Sequence, residues 1–462
     1  MSAQNALQGG GGTASQEVKV SFSVKINYML AALRDDIPEN WANGTFPPPL
    51  MYPTATVQEA DVPAFARSYI EHLIHEADVA YHGHRDSAAW RKNRSGDVTD
   101  DVRAWAWRVE VAAADTGSSA VSSSPPPPPP AWLQSSIAEG NRWLGVRIAS
   151  PVMWASGGGG GDMESFRYVR HVLHSLTQAL QFEAPERCGM TVSVGIGKRA
   201  FSLPELHRLA SGFFVTGPLL STLPYQTRSY HARSSAGSVV GGWIAACKPN
   251  AFGSALAAEF IRARAGSKLK LDPNRPILDP GRQLFPEPRR TIRRGRLSRP
   301  PYLPAEPAKY LRLAYVRLAG AASTEAIAEM MASSPGEEEV PPACDFGHYN
   351  RQQSGPQPQP QPQQQRTTIA CRQLAATTDA DSVAVWCSLV TSLAVAFLRM
   401  ENQADWLGLL YCCEHAEIAR AGFDVLDLLH ALGRTDMAES VQRRIVEKPD
   451  LIPWANPPPP RE

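Results

Sequence analysis

Cys188-Gly-Met-Thr-Val-Ser-Val-Gly195 alternates apolar Met190, Val192 and Val194 with polar Thr191 and Ser193. That two-residue period is the mark of a strand with one buried face. The segment runs into Gly197-Lys-Arg-Ala-Phe-Ser-Leu203, where a tight turn is expected, and Ser202-Leu-Pro-Glu205 forms a capping box that opens a helix through Leu206 and Leu209.

Working outward, residues 21–28 set Phe22, Val24 and Ile26 against Ser23, Lys25 and Asn27, a second half-buried strand. Pro63 opens a helix reaching Ala80, with Tyr69 and Leu73 on one face. Residues 105–111 and 146–148 read as short strands. Residues 164–182 carry Phe166, Val169, Val172, Leu173, Leu176 and Leu180 at helical spacing. Residues 368–374 read as a strand, followed by a helix containing Trp386. A closing helical pair spans 423–432 and continues from 435, broken at Gly433. Strands and helices interleave irregularly, which predicts an α+β fold with one mainly antiparallel sheet.

Low-complexity tracts separate these elements. They are the glycines at 9–12 and 157–161, a serine–proline run at 122–130, a Pro/Gln stretch at 355–365 and the prolines at 457–460. The expected organisation is a leader over 1–20, one domain over 21–447 and a proline-rich tail over 448–462. Inserts are expected at about 117–131, 155–162, 265–305 and 333–366.

A formal net charge of +1 argues against a nucleic-acid coat, so nucleic acid is not an expected partner. Seven cysteines without a CxxC pair suggest reduced thiols and an intracellular, cytoplasmic setting. The first residues lack a basic start followed by an apolar run, so no signal peptide is expected. Residues 383–398 are uncharged, but the run is short and includes Ser388, Thr391 and Ser392; it is expected to be a core helix and not a membrane span.

Four segments, in order, resemble the fungal amidoligase family, relatives of glutamine synthetase and glutamate–cysteine ligase. Phe22-Ser-Val-Lys-Ile-Asn27 is similar to F-G-V-E-I-E, and Gly145-Val-Arg-Ile-Ala-Ser-Pro151 to G-V-E-I-x-S-P. Cys188 to Gly195 is similar to C-G-L-H-V-H-V-G, and Thr368-Ile-Ala-Cys-Arg-Gln-Leu374 to T-I-E-F-R-Q-H. The resemblance implies a glutamine synthetase-like curved, mainly antiparallel sheet with packed helices. It also implies ATP-dependent carboxylate–amine ligation with magnesium.

The departures fall on the functional positions. Lys25, Asn27, Arg147 and Ala370 stand where the family carries glutamates, Thr191 and Ser193 where it carries histidines, and Leu374 where it carries another histidine. Four glutamates would bring −4, whereas Lys25 and Arg147 bring +2. Magnesium wants hard, anionic oxygen ligands, and cations a few ångströms away oppose it by about 4 kcal/mol each at an effective dielectric near 20. The expectation is therefore an amidoligase-like pseudoenzyme with no catalytic residues, no metal and no cofactor. An anionic ligand or a protein could be its partner. Lys25, Arg147, Arg228 and Arg372 are the candidate anion-binding residues, with exposed or locally paired side chains as the plainer reading.

The alternative is an active ligase using ATP and magnesium with altered ligands, for which Glu110 and Asp115 are the nearest spare acids. A product with no selected function is a third reading.

Other motifs carry less. Gly195-Ile-Gly197-Lys198 lacks the first Walker glycine and the final Ser/Thr, so a turn is expected. His72-Leu-Ile-His75-Glu76 misplaces its glutamate for a zinc protease and suggests a polar helix face. Cys412, Cys413 and His415 suggest buried thiols in a helix, and Cys188 a packing cysteine. The basic cluster from Arg289 to Arg299 reads as a solvated loop that could serve as a nuclear address.

Overall fold

The computed structural model describes residues 18–34, 47–82, 106–113, 142–156, 162–184, 188–197, 199–220, 310–331, 344–349, 368–372, 376–416, 425–432 and 434–447. The strands are β1 (Lys19–Arg34), β2 (Leu50–Tyr52), β3 (Arg108–Ala113), β4 (Arg142–Ala149), β5 (Met153–Ser156), β6 (Phe182–Glu183), β7 (Met190–Gly195), β8 (Cys344–Asp345) and β9 (Ile369–Cys371). The helices are α1 (Val62–His82), α2 (Asp162–Ala179), α3 (Leu203–Leu220), α4 (Tyr310–Ala319), α5 (Thr324–Met330), α6 (Ala380–Arg399), α7 (Gln403–Ala416), α8 (Val425–Ala431) and α9 (Thr435–Glu447). The fold is α+β.

One sheet runs in the order β3-β4-β1-β7-β9-β8, with β2, β5 and β6 also pairing with β1. Among the described residues only β1 with β2 is parallel; the other pairings are antiparallel. β1 is the axis of the sheet. Its 16 residues reach five other strands.

The even positions of β1 are closed: Phe22, Val24, Ile26, Tyr28 and Leu30 are 0–2% exposed. Ile148 and Val109 continue the Ile26 row on β4 and β3, and both are buried. Helices pack on this face. α6 lies against β1 and β7 and also touches α2, α3 and α9. It contains the uncharged run, and 83% of its most apolar window is buried. Its length and composition would suit a membrane span, but here it is the central helix of the core. The whole stripe from Phe166 to Leu180 is buried as the period required, and Phe166 stacks on Phe22 with ring centroids 4.9 Å apart. Burying each such side chain contributes about 1.5–3 kcal/mol.

Several boundaries differ from the sequence reading. β1 starts inside the expected leader, at Lys19. The expected insert at 155–162 is narrower, because β5 runs to Ser156 and α2 begins at Asp162. The expected insert at 333–366 contains β8 and a 3-10 turn over Gly347–Tyr349. Proline and glutamine nearby hid these two short elements. On α1 the buried stripe is Val62, Ala66, Ile70, Ile74 and Ala77; Tyr69 sits beside it and is 40% exposed. Gly433 and the expected inserts at 117–131 and 265–305 lie outside the described residues.

Candidate functional site

Odd positions of β1 point away from the helices, and Ser23, Lys25, Asn27 and Met29 are half-buried. Residues directly opposite each other in a sheet share a face, so the register assembles this side row by row. Asn27 stands opposite Arg147, and Arg147 opposite Glu110. Lys25 stands opposite Thr191 on one side and Ala149 on the other, with Arg108 beyond Ala149. Ser23 stands opposite Ser193, Ser193 opposite Ala370, and Ala370 opposite Asp345. Arg372 follows Cys371 by one residue and, by alternation, returns to this face. Six of the seven positions at which the chain departs from the resembled pattern therefore share one surface, together with Arg372. Leu374 and Arg228 lie outside the described residues, as do Asp115 and the basic stretch 289–299.

Local chemistry holds the frame of this surface. Ser150 is buried, and its Oγ accepts the Val24 N–H at 2.9 Å and donates to the Pro151 carbonyl at 2.9 Å. Its own N–H donates to the Val24 carbonyl at 2.8 Å. The hydroxyl thus occupies a ladder site where β4 yields to β5 at Pro151, which has no N–H to offer. That is a structural task for the Ser-Pro pair. At the other end of β7, Gly197 adopts φ +73° and donates its N–H to Ser21 Oγ at 3.0 Å. A Cβ there would lie 2.8 Å from Cη2 of Trp154. Trp154 is the β5 partner of Ser21 and is 45% exposed. The glycine segment is a turn held by Ser21 and Trp154, and it is followed by Ser202 and Glu205, which form the glutamate half of the expected capping box. Ser202 donates both its N–H and its Oγ–H to Glu205 Oε2 at 2.7 Å.

Two arginines on the surface are paired with carboxylates. Arg147 Nη1 donates to Glu110 Oε2 at 2.9 Å, and its Nε donates to Asn27 Oδ1 at 3.1 Å. Arg372 Nη2 lies 2.8 Å from Asp345 Oδ2. Arg147 and Arg372 stand on β4 and beside β9, with β1 and β7 between them. Three strand spacings separate their backbones by about 14 Å. One small anion bound by both would have to draw each guanidinium away from its carboxylate. Glu183 stands opposite Met29 on the same face, so Lys25, Arg108, Arg147 and Arg372 face three acids, Glu110, Glu183 and Asp345, and the excess of positive side chains is one.

Glu110 is recognisable from the sequence as a nearby acid. Asp345 is not, because it follows a run of prolines inside what reads as an insert. Buried Phe346, 1% exposed, is the apolar residue beside it that could flag ordered structure.

The chain was compared with protein-family models, curated proteins and solved structures. None of them matches. The chemistry of this surface therefore rests on its own residues.

Among the described residues no group of three or more His, Cys, Asp or Glu side chains could hold a metal. The magnesium that the resemblance implies needs several anionic oxygens. The three carboxylates on this face, Glu110, Glu183 and Asp345, stand on β3, β6 and β8 and form no cluster, and Glu110 and Asp345 are each committed to an arginine. The remaining oxygens belong to Ser23, Asn27, Thr191 and Ser193. That donor set does not suit magnesium.

The other candidate motifs have structural settings. His72 Nε2 lies 3.2 Å from Glu76 Oε1, with both side chains exposed, on the polar face of α1. Cys412 and Cys413 are buried in α7, where burial pushes the Cys412 thiol up to about 12. Cys188 is buried at the start of the motif strand.

Proposed function

We propose that this chain is an amidoligase-like protein without ligase activity. It keeps a glutamine synthetase-like curved sheet, and it uses the surface around Asn27, Lys25 and Ser193 for binding or regulation. The observation that carries this reading is the register. It gathers Lys25, Asn27, Arg147, Thr191, Ser193 and Ala370 onto one face, at the positions where the resembled family has carboxylates and histidines. An in-line phosphoryl transfer needs its charge neutralised by metal ions, and this face offers cations and hydroxyls in their place. An anionic ligand held without metal suits its excess of positive side chains. The six described cysteines are all buried thiols, which favours an intracellular, cytoplasmic setting. The basic stretch at 289–299 could add a nuclear address.

Calorimetry with ATP, with and without magnesium, tests the assignment. The expected result is no metal-dependent isotherm and no ATP turnover in the presence of amine acceptors. A clear magnesium-dependent isotherm, or turnover, would replace it with an active ligase using altered ligands, with Glu110 and Asp345 as the first acids to substitute.

A further inference from the structure

Cys344 and Cys371 stand directly opposite each other on β8 and β9, and their sulfurs are 3.7 Å apart. Opposed residues on antiparallel strands have Cα atoms about 4.5–5.5 Å apart, inside the range of about 4.4–6.8 Å that a disulfide spans. The sulfurs need only close by side-chain rotation. Both residues are buried, at 4% and 3% exposure, on the helix side of the sheet. On the opposite side of the same two strands, Arg372 meets Asp345. β8 is two residues long and ends the strand order.

We propose that Cys344 and Cys371 are a redox-sensitive pair that forms a reversible disulfide, stapling β8 to β9. The proposal rests on this geometry alone and does not depend on the ligase resemblance. The oxidant is a small external disulfide of the glutathione type. One cysteine thiolate attacks it, forming a mixed disulfide and releasing one small thiol. The second cysteine then displaces the other small thiol. Two S–H bonds are lost and one S–S bond forms. The two electrons pass to the external disulfide, which leaves as two thiols.

Access is the control. Hydrogen bonding from Cys344 and burial together push the Cys371 thiol well above its ordinary value, so the closed edge resists attack. Parting β8 from β9, against the Arg372–Asp345 pair and the burial of Phe346, is the step that exposes both sulfurs. Once formed, the bond joins residues 27 apart in sequence and constrains the unfolded chain.

The test uses the full-length protein incubated with oxidised glutathione, then alkylated and digested without reductant. The expected product is a cross-linked peptide pair containing Cys344 and Cys371. A rise in thermal midpoint of about 5 °C should accompany it, and dithiothreitol should reverse both. In C344S that shift should vanish, and the difference between oxidised and reduced protein is the readout whatever the variant's own midpoint. Recovery of both cysteines as free thiols from folded, oxidant-treated protein would overturn the proposal. So would their cross-linking to other cysteines.

Discussion

Arg372 and Asp345 close on each other across the β8–β9 edge, with Nη2 2.8 Å from Oδ2. The other carboxylate oxygen, Oδ1, accepts the Gly347 N–H at 2.7 Å. Both oxygens of Asp345 are thus occupied. Glu110 meets Arg147 in the same way at the far side of the surface. A metal ion approaching either acid must compete with a guanidinium, and an anion approaching either arginine must compete with a carboxylate. The ligand preference of the surface is set by which competition is easier to win. The half-exposed pairs are weak, about 0–1 kcal/mol each, and a phosphate can take several donors at once.

Arg372→Ala tests this directly. If the surface binds anions, the variant should lose the thermal stabilisation that inorganic phosphate gives the parent protein. Its stability in plain buffer should change by less than about 1 kcal/mol, the worth of a partly exposed pair. Differential scanning fluorimetry over a phosphate titration reads both quantities. Unchanged stabilisation by phosphate would remove Arg372 from the anion site.

Glu205 gives a prediction about acid stability. Its carboxylate accepts two hydrogen bonds from Arg199 at 2.8 Å and two from Ser202. The Arg199 hydrogen bond, followed by those from Ser202, outweighs burial and holds its pKa down to about 2. A carboxyl depressed in the folded state stabilises the fold above its unfolded value and loses that contribution as pH falls. Stability should therefore decline between about pH 4.5 and 2 in the parent. Glu205→Gln should cost about 1 kcal/mol at pH 7 and flatten that decline. Urea unfolding at a series of pH values measures both.

The parts of this fold with a long, regular period can be read from the sequence, and the parts held by distant partners cannot. The α2 stripe and the alternation in β1 and β7 state their own burial, because apolar residues recur at each buried position. Ser202 and Glu205 are close neighbours in the chain, so their cap is local and visible. β6 and β8 are two residues each and show no period. They exist because β1 and β9 supply the hydrogen bonds. Alternation within separate strands suggests a shared face, and only the register joins them. Asp345 is illegible for the same reason: nothing near it in sequence signals Arg372, which lies far along the chain.

Tyr168 anchors a polar cluster between α1 and α2. Its hydroxyl donates to Asp78 Oδ1 at 2.6 Å and accepts the Trp107 Nε1–H at 2.9 Å. Burial, reinforced by Asp78, raises the Tyr168 pKa above its ordinary value. A tyrosine raised in the fold keeps its contribution below the unfolded value, near pH 10, and loses it as pH climbs further. Tyr168→Phe leaves the indole N–H and the carboxylate without this partner. The expected cost is about 1–3 kcal/mol, with a smaller alkaline loss of stability than in the parent. Denaturant unfolding at pH 7 and above pH 10 separates the two effects.

Gly197 ties the motif turn to the exposed end of the sheet. Its φ of +73° is strained for any residue with a Cβ, at a cost of about 1–2 kcal/mol. Gly197→Ala would also press a methyl to 2.8 Å from Trp154 Cη2. The indole is 45% exposed and has room to swing outward, so the steric part should be recoverable. A double-mutant cycle with Trp154→Ala divides the two terms. In the parent background Gly197→Ala should cost about 2–3 kcal/mol. In the Trp154→Ala background only the backbone strain remains, and the cost should fall to about 1–2 kcal/mol. Equal costs in both backgrounds would mean that Trp154 does not press on the turn in solution.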